Sequence, residues 1–263
     1  MKKKKKKKSE PMEESRVTKV KRVSKVRYYL LNILLGVVIL ITAAVLFIIF
    51  FCQVEKVTVK GSVVNNEAVI QSYILDDQYS SNAVYDVVKN RIRPKKNIPF
   101  VASYKVSMKT LNHLVITVTE KERVGIIADV DNGRYIYYDA SGVVTELSEL
   151  YLDGLLVVNG ATLEDAVIGQ KLPMDTTQRR SLLAIQKQLK QVGVEVSAVN
   201  FMEDGTINLS YQSIIINLGT TTNLAQKTKR LPYILPYLDG KSGTLHLEDW
   251  TEENTDIVFE ENL

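Results

Sequence analysis

No charged residue falls between Arg27 and Glu55, and the stretch this leaves, Tyr28–Cys52 (YYLLNILLGVVILITAAVLFIIFFC), constrains the chain more than any other feature. Within it only Asn32 and Thr42 are markedly polar. The segment Tyr29–Phe51 has 23 residues. As a helix rising about 1.5 Å per residue, such a run reaches roughly 35 Å, enough to cross a hydrocarbon core about 30 Å thick with some tilt. Tyr28 and Tyr29 at one end and Phe50 and Phe51 at the other suit the two interfaces. A cleaved signal peptide has a shorter apolar run and small residues before the cut, whereas this run ends Phe50-Phe51-Cys52-Gln53. A lipoprotein signal would need a small residue where Phe51 stands. The stretch therefore predicts an uncleaved membrane span over 28–52.

Charge sets the expected orientation. Lys2–Lys8, Arg16, Lys19, Lys21, Arg22, Lys25 and Arg27 precede the span, thirteen basic residues in all. Only Lys56 and Lys60 lie in the first fifteen residues beyond it. Positive charge stays on the cytoplasmic side, which puts residues 1–27 inside and everything after Cys52 outside. Residues 1–52 carry three acidic groups against those thirteen basic ones, a net of +10, while the remainder has 21 basic and 27 acidic residues, a net of −6. The overall +4 thus belongs to the tail, and nucleic-acid binding does not follow from it. The seven-lysine run beside a span fits topology-setting or anionic headgroups. The exterior, Gln53–Leu263, has 211 residues and no cysteine, so it must rest on its hydrophobic core.

The periodicities predict an α+β exterior of two modules. Val54–Gly61 alternates as a strand. Asn65-Asn66 can cap a helix holding Ala68, Val69, Tyr73 and Leu75, and Ser80 or Ser81 can cap a second with Val84, Val87, Val88 and Ile92 at helical spacing. Ala102–Met108 and Leu114–Thr119 read as antiparallel strands whose Ile116 and Val118 face the two helices that carry Val69 and Val88. The order is β-α-α-β-β over residues 53–122. Residues 123–250 read as a mainly antiparallel β domain with flanking helices. It holds a hairpin around Asn132-Gly133, a helix from Asp175 to Gly193, strands 196–201, 206–211 and 214–218, a helix over Thr222–Arg230 interrupted beyond by Pro232 and Pro236, and a strand Gly243–Leu247. Residues 251–263 form an acidic tail in which Thr255–Phe259 can be a last edge strand.

The motifs for catalysis are missing. His113 and His246 are the only histidines and stand apart, and no H-E-x-x-H, G-x-S-x-G or phosphate-cradling glycine loop occurs. A noncatalytic protein with no cofactor and no metal is expected.

Several short patterns occur in a definite order. They are Val57-x-Val59-x-Gly61, then Ile98-Pro99-Phe100-Val101, then Leu114-x-Ile116-x-Val118-x-Glu120-Lys121-Glu122-Arg123. Further on come Asn132-Gly133-x-Tyr135-x-Tyr137-x-Asp139-x-x-Gly142-x-Val144, Leu218-Gly219 with Leu224-x-x-Lys227, and Gly243-x-Leu245-x-Leu247. Together, after one N-terminal span, they resemble the bacterial cell-division family FtsQ, called DivIB in Gram-positive bacteria. The resemblance covers about Val54 to Trp250. It implies a POTRA domain over 53–122 and the family's β domain over 123–250. It also implies a noncatalytic, single-pass divisome scaffold at the septum. The implied partners are FtsL-like and DivIC- or FtsB-like bitopic proteins, and through them the septal peptidoglycan synthases.

In that family a partner chain adds to the edge of the β domain near the C-terminus. Here the implied partner-binding residues are Ile257, Val258 and Phe259, fenced by Glu248, Asp249, Glu252, Glu253, Asp256, Glu260 and Glu261, together with Trp250, the chain's one tryptophan. Two other classes stay open on residues alone. An extracytoplasmic sensor or ligand-binding receptor could line a pocket with Tyr135, Tyr137, Tyr138 and Tyr151. A cell-wall hydrolase or transpeptidase would need a nucleophile that the exterior lacks.

Overall fold

The computed structural model describes residues 25–251, 253–254 and 256–262. The seven-lysine run and the rest of the basic tail up to Ser24, and Thr255 of the expected last strand, lie outside the described residues. The chain divides into two compact units, Met1–Gln53 and Val54–Leu263. In the first, helix α1 (Lys25–Phe51) has none of its residues buried and, among the described residues, is the one helix long and apolar enough to cross a membrane. The Thr42 hydroxyl donates to Val38 O at 2.9 Å, so this polar side chain is satisfied within the helix.

The second unit opens with β1 (Lys56–Lys60), α2 (Glu67–Ile74), α3 (Ala83–Ile92), β2 (Val101–Thr110) and β3 (His113–Glu120). The strands form a sheet in the order β1-β3-β2, with β1 parallel and β2 antiparallel to β3. Asn66 caps α2 by accepting from Val69 N. Helix α3 is capped by Asn82 rather than Ser80 or Ser81; its carboxamide oxygen takes the N–H groups of both Val84 and Tyr85. Ile116 and Val118 are buried against both helices as expected, sharing their core with Ile70, Ile74, Ala83 and Val87, while Val69 and Val88 lie outside it. Val88 and Ile92 are exposed. The helices are turned by one position because Ile70 and Ile74, four apart, bury more apolar surface than Val69 could.

The remaining strands are β4 (Gly125–Asp129), β5 (Arg134–Tyr138), β6 (Val144–Ser148), β7 (Leu156–Asn159), β8 (Ala198–Phe201), β9 (Ile207–Tyr211), β10 (Ile214–Gly219), β11 (Gly243–His246) and β12 (Val258–Glu261). Among the described residues they make one nine-stranded sheet, ordered β12-β11-β10-β9-β8-β7-β4-β5-β6. The sheet is mixed: β4–β7, β7–β8 and β10–β11 are parallel and the other neighbours antiparallel. Helices α4 (Thr176–Val192) and α5 (Leu224–Ile234) bring Leu182, Ile185, Leu189, Leu224 and Leu231 into the core that covers one face. Asp175 caps α4 through Thr177 N and Gln178 N, and Gly193 ends it in the left-handed conformation. Helix α5 starts later than Thr222 and runs through Pro232 to Ile234, then tightens into a 3-10 turn over Leu235–Leu238. Proline removes one backbone donor, and buried Leu231 and Leu235 on either side keep the turn in place.

The two sheets meet around Phe100. Its ring lies edge-on to Tyr137 at 5.1 Å, and its N–H donates to Glu146 Oε2 at 2.8 Å. Lys121 Nζ reaches the same carboxylate oxygen at 2.9 Å. Glu120 accepts from Val63 N, Val64 N and Arg123. Phe100 sits at φ +61°, unusual for a bulky residue. The buried ring and the Glu146 hydrogen bond hold it there. The Ile98–Val101 and Glu120–Arg123 motifs thus converge on one joint with β5 and β6.

Candidate functional site

The last strand lies at the rim of the large sheet, so one side of its backbone is unpaired. It runs over Val258–Glu261, three residues beyond the expected start. Its register with β11 is Gly243↔Glu261, Thr244↔Glu260, Leu245↔Phe259 and His246↔Val258. The bond from Asn262 N to Ser242 O sets the phase of the antiparallel ladder. Val258 and Glu260 therefore bond inward to β11, and the N–H and C=O groups of Phe259 and Glu261 point outward from the sheet.

Side chains alternate across this edge. Ile257 and Phe259 pack against the main core, while Val258 is 59% exposed on the opposite face. Gly243 permits the close approach: a Cβ there would lie 2.1 Å from Glu260 O and 2.8 Å from Phe259 Cζ. Ile257, Val258 and Phe259 are thus brought together on one strand end. Trp250 is not on that surface. It is 4% exposed, with the Arg230 guanidinium 4.7 Å from its ring centre. Any influence of Trp250 on a partner at this edge must act through packing.

Carboxylates surround the edge. Asp249, Glu253, Asp256, Glu260 and Glu261 are exposed, and the ion pairs within reach are Lys241–Glu261 at 3.5 Å and His246 with Glu248 and Glu260 at 2.7 and 3.5 Å. The hydrogen bond that the His246 ring donates to Glu248, with the Glu248 charge and then Glu260, outweighs burial and raises the His246 pKa above its usual 6.5. His246 therefore ties β11 to β12 through a charge that weakens as pH rises.

Behind the edge, Lys227 is 2% exposed and donates to Leu218 O at 2.8 Å and Glu248 O at 3.1 Å. Burial lowers its pKa. Gly219, at φ +63°, passes so near Glu248 that a Cβ would lie 2.8 Å from the Glu248 Cβ. The Leu218-Gly219 and Leu224-x-x-Lys227 patterns thus close on one another and on the segment leading to β12.

The sheet face opposite the main core carries, away from the Phe100 joint, a row that sequence reading missed. Asn159, Asn200, Asn208, Asn217, His246 and Val258 stand side by side across six strands. Asn159 Nδ2 donates to Asn200 Oδ1 at 2.8 Å. Each asparagine occupies a polar position of an alternating strand, but only the strand order aligns them.

Three of the tyrosines, Tyr135, Tyr137 and Tyr151, gather on one sheet face, and Tyr138 lies on the other. Tyr137 faces Phe100, Tyr138 lies in the main core with its hydroxyl accepting from Gln186, and Tyr135 pairs with Tyr151 at 5.4 Å. A polar surface cleft of about 680 Å³ lies between Glu164 and Arg179. Among the described residues no group of three or more His, Cys, Asp or Glu side chains could hold a metal ion. Compared with known proteins, the chain matches no family model and no curated protein.

Proposed function

We propose that this chain is a noncatalytic, single-span scaffold of the FtsQ/DivIB kind. In this reading its N-terminus is cytoplasmic and its exterior gathers FtsL-like and DivIC- or FtsB-like proteins at the division septum. The observation that carries the proposal is the β12 edge: a short rim strand with outward backbone groups at Phe259 and Glu261, ringed by carboxylates. Such an edge suits strand addition by a partner segment, with main-chain hydrogen bonds giving affinity and the acids selecting basic side chains. The same acids discourage pairing with a second copy. The β-α-α-β-β order of the first module, next to the span in sequence, is consistent with a POTRA domain. The receptor reading has no comparable support, since Tyr137 and Tyr138 are fully buried and Tyr138 lies in the main core, apart from the other three.

The test uses the full chain in detergent or nanodiscs, with a photocrosslinking amino acid at Val258 or at Ser141 on a distant turn. A purified FtsL–DivIC pair should crosslink at Val258 and not at Ser141, and a fluorescent fusion should concentrate at mid-cell. Failure to capture the pair at either position, with the fusion spread evenly round the membrane, would remove the proposal.

A further inference from the structure

The open face of the three-stranded sheet is basic and carries no acid. Lys56, Thr58 and Lys60 of β1 pair with His113, Val115 and Thr117 of β3, which in turn face Thr110, Ser107 and Lys105 of β2. Lys60, Thr117 and Lys105 thus form one row across the sheet. The irregularity between Met108 and Thr110 leaves Lys109 near the His113 end. All four lysines are exposed. Among the described residues, none of them forms an ion pair. Burial, and then the charges of Lys56, Lys109 and Lys60, hold the His113 imidazole below its usual pKa. The lysines thus act on a shared patch, and the uncharged imidazole can accept or donate at Thr58 Oγ1, 2.9 Å away.

Four of the seven acids of this module are engaged or buried elsewhere, and Glu55, Glu67 and Glu122 are exposed outside the row. Asp76 and Asp77 pair with Lys89 and Lys95, Glu120 with Arg123, and Asp86 is buried. The segregation extends along the chain. Residues 53–122 carry ten basic and seven acidic groups, whereas residues 123–263 carry eleven basic and twenty acidic. Near a negatively charged surface the first module is attracted and the rest repelled.

We propose that this lysine face binds anionic phospholipid headgroups and holds the first module down on the membrane surface. Chain connectivity favours lipid over a soluble anion. Five residue steps separate Phe51 from Lys56, so even a fully extended connection keeps β1 within about 18 Å of the end of the span. The tether keeps headgroups at high effective concentration. The Thr117 hydroxyl, in the row between Lys60 and Lys105, gives phosphate oxygens a further donor. Each lysine brought to an anionic surface contributes roughly fivefold to the bound population, falling off over about 8 Å at physiological salt. The proposal goes beyond the division reading and rests only on α1 crossing the membrane.

The experiment places the full chain in nanodiscs of phosphatidylcholine alone or doped with phosphatidylglycerol. Amine-labelling rates are then read at each lysine by mass spectrometry. Lys56, Lys60, Lys105 and Lys109 should label roughly threefold or more slowly in the anionic discs and recover at high salt. Lys187 and Lys190 on α4 should not change. In Lys60→Glu/Lys105→Glu, with an unchanged melting curve, Lys56 and Lys109 should lose their protection. Equal labelling in both discs overturns the proposal. So does protection that appears only on adding a soluble glycerol-phosphate polymer. A chain retained by neither disc overturns the span and the proposal with it, an outcome distinct from equal labelling of a chain that is held.

Discussion

Lys227 Nζ donates to Leu218 O at 2.8 Å from a position only 2% exposed, pinning helix α5 to the end of strand β10. Its second bond, to Glu248 O, fixes the segment that leads from β11 toward the rim. Lys227→Met keeps the aliphatic stem and removes both bonds, leaving two carbonyls under-satisfied. Relief from burying a charge offsets part of the loss. The expected net destabilisation is about 1–3 kcal/mol, read as a lower urea midpoint. An unchanged midpoint would mean that the lysine is not needed to hold the joint.

The phase of the β11–β12 ladder separates two proline substitutions. Glu261→Pro removes an N–H that points outward, which a rim strand tolerates. It should leave hydrogen-exchange protection of β11 intact and weaken capture of the FtsL–DivIC pair by about tenfold, the order expected for one lost backbone bond and a blocked edge. Val258→Pro removes an inward N–H and should unseat β12, with faster exchange in β11. Ile257→Pro should likewise weaken capture more than Ile257→Ala. Equal capture by Glu261→Pro and the unsubstituted chain would place the partner elsewhere.

The His246 cluster makes the rim pH-dependent. The native pKa is raised above the unfolded 6.5 by Glu248 and then Glu260. A raised histidine contributes stability that is fully present below pH 6.5 and is lost as pH rises through the higher native value. Half-exposure keeps the effect below about 1 kcal/mol. Amides of β12 should therefore exchange more slowly at mildly acidic pH than at alkaline pH, after correction for the intrinsic rate. His246→Gln should flatten that difference. A steeper loss of protection on acidification would reverse the sign and refute the pairing.

Asp86 is fully buried on α3, and neither carboxylate oxygen is in good hydrogen-bond geometry, Ser80 being the hydroxyl that approaches it. Burial raises its pKa above 3.8. The folded state then holds a proton that the unfolded chain releases, so stability falls as pH climbs from 3.8 through the native pKa. Asp86→Asn should stabilise the first module by about 1 kcal/mol or more at neutral pH and make that stability less sensitive to pH. A destabilised Asp86→Asn at neutral pH would show that the carboxylate has a partner.

The expected orientation is checked by cysteine labelling in a Cys52→Ala background. Ser242→Cys, on an exposed turn, should react with an impermeant thiol reagent in intact cells. Ser9→Cys should react only after lysis. The opposite pattern would invert the topology.

The helix long and apolar enough to cross a membrane was legible in the sequence because length and apolarity alone define it. The caps Asn66, Asp175 and Gly193 were legible because capping is local chemistry. Helix rotation was not: Ile70 rather than Val69 faces Ile116, since the choice depends on what the opposite strand presents. The approach of Leu218-Gly219 to Lys227 stands as a pattern in the sequence but has its reason only in space, where a buried ammonium meets one carbonyl at the end of β10 and one in the turn after β11. The rim strand began at Val258 rather than Thr255 because pairing with Gly243–His246, not propensity, sets its register. Trp250 lies under Arg230 instead of on the surface, a burial that residue type cannot announce. The asparagine row and the lysine face follow the same rule. Period-two alternation assigns each residue to a face, but strand order decides which faces are neighbours, and that order is set by long-range pairing.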